Sequence, residues 1–318
     1  MTDQLLKGAP ATITVVFVLT PGLVLLDLAG PAQVFQSANA AGADYRVVHV
    51  ASSPTVRSDQ GVDLAATDEW PPLGAADLII VPGRATAART TNPAALSAEA
   101  LVRLREHHRS GGTIASVCSG AFDLGQAGLL DHRRCTTHHE LQDELARTHP
   151  SAEVVRDVLF TVDDRVITSA GIASGIDLAL HLVAVAHGPS VAAAAARDMV
   201  VYTRRNGRDP QLSPLLIHRN HMDDLVHRVQ DRIEYELDRT LPLRILASAE
   251  ATSERTLTRA FVAATGTTPL RYQQTLRLEH AQSLIARGVS IDSAARQVGF
   301  ADARMLRRLR SAERQRPD

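Results

Sequence analysis

Arginines placed on helices are the residues best suited to chemistry in this chain. Over Glu254–Thr265, Leu257 and Phe261 repeat at i, i+4, so they mark the inward face of a helix. Arg255, Thr258 and Arg259 are thereby directed outward. A guanidinium forks onto guanine O6 and N7, and each such pair is worth about 1–3 kcal/mol of base discrimination. A second stretch, Asp302–Glu313, repeats the design: Met305, Leu306 and Leu309 turn inward, and Arg304, Arg307, Arg308 and Arg310 are left outside. The expected ligand of both faces is double-stranded DNA, with Arg255, Thr258, Arg259, Arg304, Arg307 and Arg308 as the contacting residues and Arg255 and Arg259 as base readers.

Charge supports the same direction. The 318 residues carry a net charge of −1, but residues 251–318 hold 12 arginines against 6 acids, the imbalance of a surface facing a polyanion. Of the 34 basic residues only Lys7 is lysine. Other chemistries lack support. The 13 histidines include the adjacent pairs His107-His108 and His138-His139, and neither pair has a metal-ligand spacing, so no metal is expected. The glycines form no phosphate-binding loop, so no nucleotide cofactor is expected. There are 2 cysteines, Cys118 and Cys135; Cys135 reads as a small buried residue.

The elements that must position these residues fall into two parts. Strands are expected at Ile13–Leu19, Tyr45–Ala51, Leu78–Pro82, Thr113–Val117, Val158–Val162 and Val166–Thr168. Helices are expected near Ala29–Ala41, Ala98–Ser110, Ser119–Gln126, Glu140–Thr148 and from Ser174. That alternation implies a parallel-sheet α/β sandwich. A segment of glycines and prolines at 201–219, TRRNGRDPQLSP at its heart, reads as a linker. Beyond it the chain is helical: Met222–Glu236 with Leu225, Val229, Ile233 and Leu237 in series, Leu243–Ala249, Glu254–Thr265, Pro269–Arg287, Ile291–Val298 and Asp302–Glu313. Ser253 is an N-cap and Gly266 a stop. The expectation is a flavodoxin-like domain at 10–200 followed by an all-α domain at 220–318 with two helix-turn-helix units. The longest apolar stretch is broken by Pro21, Gly22 and Asp27, so no membrane span is expected. The opening MTDQLLKGAP has no secretory pattern, and the protein is expected in the cytoplasm.

Two resemblances sharpen this reading. LPLRILASAEATSERTLTRAF, TGTTPLRYQQTLRLEHAQSLI and GVSIDSAARQVGF resemble the AraC/XylS transcription regulators, with Thr265-Gly266, Pro269, Tyr272, Arg277-Leu278 and Ala281 as the most specific positions. After Leu306 the chain departs from that pattern: the aromatic expected near Leu309 or Arg310 and a Gly-x-x-Pro…Tyr-Arg segment are missing, which weakens the expectation for the second reading helix. LLDLAGPAQVF, DLIIVPG, IASVCSGAFDLGQAGLLDHRRCTTHH and ITSAGIASGIDLALHLV resemble the ThiJ/PfpI branch of the class I glutamine amidotransferase-like superfamily. That resemblance implies that Cys118 sits on a tight elbow before a helix, where the helix N-terminus favours thiolate. It also implies that Asp27 approaches the cysteine and that His138 is the family's histidine. Ser119 stands where peptidase-like members have histidine. Three readings of Cys118 stay open: turnover, a small-molecule pocket or oxidant-sensing thiol, and an inherited elbow. The joint architecture resembles regulators of the GlxA/AdpA type and implies a DNA-binding homodimer. The competing reading is a cysteine-dependent hydrolase or hydratase with a degenerate DNA-binding tail.

Overall fold

The computed structural model describes residues 12–85 and 96–314. The opening segment, Lys7 and residues 315–318 lie outside the described residues. The chain divides into two compact units between Gln211 and Leu212.

In the first unit β1 (Ile13–Val18), β2 (Tyr45–Val50), β5 (Leu78–Val81), β6 (Thr113–Val117), β9 (Phe160–Asp163) and β10 (Val166–Ser169) form a sheet in the order β2-β1-β5-β6-β10-β9. Small ribbons pair β3 (Thr55–Arg57) with β4 (Asp63–Ala65) and β7 (Arg134–Cys135) with β8 (Glu153–Val154). The central strands are buried on both faces, and period-two alternation sorts their side chains between two cores. Val15, Phe17, Leu78, Ile80, Ala115 and Val117 face one core, whereas Val16, Val18, Ile79, Val81 and Ile114 face the other. The first core is roofed by α1 (Leu25–Ala40), α5 (Ser174–His187) and α6 (Pro189–Asp198), the second by α2 (Ala98–Arg109), α3 (Gly120–Gln126) and α4 (Gln142–Thr148).

Five of the strands run parallel as expected, but β9 pairs antiparallel with β10 at the sheet edge. Only Asp164 and Arg165 separate the two strands, too few residues for a crossover helix, and Asp164 takes φ 53° to close the turn. α1 begins at Leu25, ahead of the expected Ala29, because the Gln60 side chain accepts from the Leu25 N–H at 2.8 Å and supplies the missing cap. α6, opened by Pro189, was not among the expected elements although its run of alanines favours a helix.

The stretch read as a linker is bound to both units. Residues 205–211 strap across β9: Leu159 and Phe160 donate their N–H groups to the Asp209 and Gly207 carbonyls at 3.1 and 3.2 Å, and Arg205 binds the buried Asp177 at 2.6 Å. Arg219 belongs to the second unit, where it pairs with Asp231 at 2.7 Å and with Glu234 at 2.5 Å.

The second unit comprises α7 (Pro214–Ile217), α8 (Asp224–Tyr235), α9 (Leu243–Ala249), α10 (Glu254–Thr265), α11 (Pro269–Ala286), α12 (Ile291–Gln297) and α13 (Ala303–Arg314). Its two cores share α11. Tyr272 and Leu276 join Val226, Val229, Ile233, Leu257 and Phe261, and one or two turns later Leu278 and Ala281 join Ala294, Val298, Phe300 and Leu306. Arg277 lies between them. Its Nε and NH2 groups donate to the Leu237 and Arg239 carbonyls at 2.7 Å each, and its guanidinium stands 5.8 Å from the Phe300 ring centre.

Candidate functional site

Two sites emerge, one in each unit. The first is built on the segment between β6 and α3. Cys118 takes φ 55°, a left-handed conformation that turns the chain sharply at the strand's end. Its N–H donates to the Ser169 carbonyl at 3.0 Å, and its carbonyl accepts from the Thr137 hydroxyl at 2.8 Å. Ser119 does not cap α3; its hydroxyl accepts from the Arg84 N–H at 2.7 Å and donates to the Arg84 carbonyl at 3.0 Å. Glycines leave room for this elbow. A Cβ on Gly83 would come within 2.7 Å of both Asp27 Oδ2 and Cys118 Cβ, and one on Gly171, at φ 97°, would collide with the Cys118 Cα and Cβ.

Asp27, in the first turn of α1 and fully buried, reaches the same point. Its Oδ2 accepts from the Gly83 N–H at 3.1 Å and its Oδ1 from the Ile172 N–H at 2.7 Å, while the Cys118 side chain hydrogen-bonds the carboxyl. Burial pushes the Asp27 pKa up to about 6, and the two N–H donors and Cys118 pull against that rise. A carboxyl with its pKa raised to about 6 thus stands beside a thiol that is 6% exposed. His138 follows Thr137 in the chain. Its Nδ1 lies 3.8 Å from Glu140 and its ring 4.3 Å from that of His139; burial, then His139, lower its pKa, against the pull of Glu140. Cys135 is wholly buried, and burial pushes its pKa up to about 12.

Gly83, Gly171, Ile172 and Thr137 were not anticipated as parts of this site. Ile172 adopts φ 51°, and nothing in a β-branched residue advertises a left-handed backbone. No group of three or more potential metal ligands lies together among the described residues.

The second site lies on α10. Ser253 caps it by accepting from the Thr256 N–H at 3.1 Å, and left-handed Gly266 ends it. Leu257 and Phe261 are fully buried, Arg255 and Arg259 are exposed, and Thr258 is half-buried on the same outward face. α9 and α10 are joined by a turn in which Ala251 takes φ 50°. On α13, Leu306 is buried and Met305 and Leu309 pack beside it. Asp302 opens that helix by accepting from the Arg304 and Met305 N–H groups at 2.7 and 3.2 Å. Arg304, Arg307 and Arg308 are exposed; Arg307 lies 3.5 Å from Asp292, and Arg308 contacts the Met305 sulfur at 3.1 Å.

Known proteins match both halves. Residues 13–185 match the DJ-1/PfpI family and residues 246–313 a helix-turn-helix domain. The chain is 30% identical over 272 residues to the HTH-type transcriptional regulator CdhR of Pseudomonas aeruginosa, covering 85% of this chain and 79% of CdhR. It is 33% identical over 169 residues to an isonitrile hydratase of Pseudomonas putida, covering 52% of this chain and 68% of that enzyme. A crystal structure of an AraC family transcriptional regulator from Pseudomonas putida aligns at TM-score 0.50 and 26% identity, over 59% of this chain and 99% of that one. The cysteine elbow at the end of β6, its buried aspartate and the helical second unit thus stand on one chain that belongs to the DJ-1/PfpI family and carries a C-terminal helix-turn-helix domain.

Proposed function

We propose that the protein is a sequence-specific DNA-binding transcriptional regulator. The observation that carries this reading is the outward face of α10, where Arg255, Thr258 and Arg259 stand free of the core that Leu257 and Phe261 anchor. A recognition helix enters the major groove with such a face. Arg304, Arg307 and Arg308 form the corresponding face of α13. The first unit pairs two copies of the chain into a homodimer, which raises DNA affinity through effective concentration. A small-molecule effector binds near Cys118, and the protein works in the cytoplasm. No helix among the described residues is long and apolar enough to cross a membrane.

The test is enrichment of genomic fragments by the purified full chain at two salt concentrations, beside an Arg255→Ala/Arg259→Ala variant. A defined motif, lost in the variant, is the expected result. Weak, unselective binding unchanged by the substitutions would overturn the reading.

A second reading rests on the hydrogen bond between the Cys118 side chain and the buried Asp27 carboxyl. That pair suits hydration of a small electrophile: the Cys118 sulfur adds to the electrophilic carbon as Asp27 delivers a proton, and water then adds to the same carbon and expels the sulfur, its proton restoring Asp27. Cys118→Ser then abolishes turnover and leaves DNA affinity intact.

A further inference from the structure

We propose that α10 also reads thymine, through its C5-methyl group, so that the DNA bound by this unit sets thymine beside guanine. The inference rests on the DNA-reading role proposed above for this helix.

Arg255, Thr258, Arg259, Val262 and Ala263 fall at i, i+3, i+4, i+7 and i+8, one continuous stripe opposite the buried Leu257 and Phe261. With Leu243 of α9 and Glu254 they line an open depression of about 700 Å³. Beyond the two guanidinium groups, the Glu254 carboxyl and the Thr258 hydroxyl, its wall is made of methyls. Val262 is 40% exposed. The Thr258 hydroxyl proton is already committed, donating to the Glu254 carbonyl at 2.8 Å, so toward a thymine O4 the residue has no donor to offer and its γ-methyl makes the contact.

The depression is apolar yet sits in the chain segment with 12 arginines against 6 acids, which suits a partner that is anionic outside and carries methyl groups within reach. The major groove meets both conditions. Its base edges are polar except for one substituent, the thymine methyl. Arg255 and Arg259 fork onto guanine, and Val262, one turn further along the stripe, reaches the neighbouring position. Glu254, on the rim, repels phosphate and accepts from the amino group of cytosine.

The experiment uses the full chain and a duplex selected from a random library. Each thymine is replaced in turn by deoxyuridine, which removes only the methyl. Binding is expected to weaken about three- to fivefold at one or two positions, the worth of one methyl withdrawn from contact. Val262→Ala or Thr258→Ser, both outside the buried core, should then bind the thymine and deoxyuridine duplexes equally at that position. Unchanged binding at every substituted thymine overturns the proposal while leaving DNA reading by α10 in place. A loss that persists in both variants also overturns it, because the methyl is then read by another part of the chain. If no sequence is selected at all, the DNA-reading role fails and this inference fails with it.

Discussion

Thr137 donates its hydroxyl to the carbonyl of Cys118 at 2.8 Å, so the peptide of the candidate nucleophile is held from outside its own strand and helix. Thr137 is fully buried, and its own carbonyl accepts from the Gln211 amide at 2.9 Å. Thr137→Val keeps the shape and removes the donor, leaving the Cys118 carbonyl without it. The expected loss is about 1–3 kcal/mol for the first unit, read from the urea midpoint of its unfolding.

Asp27 gives the first unit a pH dependence of definite sign. Its folded pKa of about 6 lies above its ordinary 3.8, so between these values the folded state binds more protons than the unfolded one. Stability therefore falls as pH rises through that window, by roughly 3 kcal/mol for a shift of about two units. Asp27→Asn should flatten this slope. Denaturant midpoints at pH 4, 5, 6 and 7 for both proteins check it; a slope unchanged in the variant would place the proton elsewhere.

Gly171→Ala puts a methyl onto the Cys118 backbone and asks an alanine to hold φ 97°. Cost on the order of 3 kcal/mol or more follows from the two penalties together. Soluble yield and the thermal transition of the first unit should both drop, while α10 and its DNA face remain as they are.

Ala251 is the reverse case. It holds φ 50° in the turn between α9 and α10, where glycine carries no left-handed penalty. Ala251→Gly is expected to stabilise the second unit by about 0.5–1 kcal/mol, the strain relieved less the entropy gained by the unfolded chain. A lower melting temperature would contradict this account.

The strap at 205–211 is held by Arg205 on Asp177, whose side chain is only 5% exposed. Removing Arg205 leaves a buried carboxylate without its counter-charge. Trypsin should cut Arg205→Ala faster than the parent at Arg208, within the strap; equal cleavage rates would mean that the backbone bonds to β9 hold it alone.

Much of the fold was legible because burial repeats with backbone geometry. The short unbroken apolar runs of β1 and β5 and the i, i+4 pairs of α8 and α10 are visible in the sequence itself. The β9–β10 hairpin was not, since two short apolar runs say nothing of direction and no glycine marks the turn at Asp164. At the site, Arg255 and Arg259 follow from the helix period alone. Asp27 meets Cys118 across 91 positions of chain and was suggested only by family resemblance. The Ile172 amide that holds Asp27 depends on a left-handed residue with no local signature. The role of residues 205–211 was hidden for a similar reason: Leu159 and Phe160 grip the strap by its backbone carbonyls, and a Gly- and Pro-rich segment looks the same whether it hangs free or is tied down.

Arg277 fastens the loop that follows α8 to the turn that precedes α13, and Gly299 lets that turn approach the Asp238 carbonyl more closely than any side chain would permit. α10 and α13 are therefore carried on one frame, joined through a helix roughly 27 Å long at 1.5 Å per residue. With both helices on DNA as proposed, such a frame gauges phase as well as sequence. One base pair inserted between the two stretches it touches turns the second by roughly 35° about the duplex axis, since a helical turn takes 10–10.5 base pairs. On the proposed DNA-reading role of both helices, the contacts of a single guanidinium, that of Arg277, tie the spacing of the binding site.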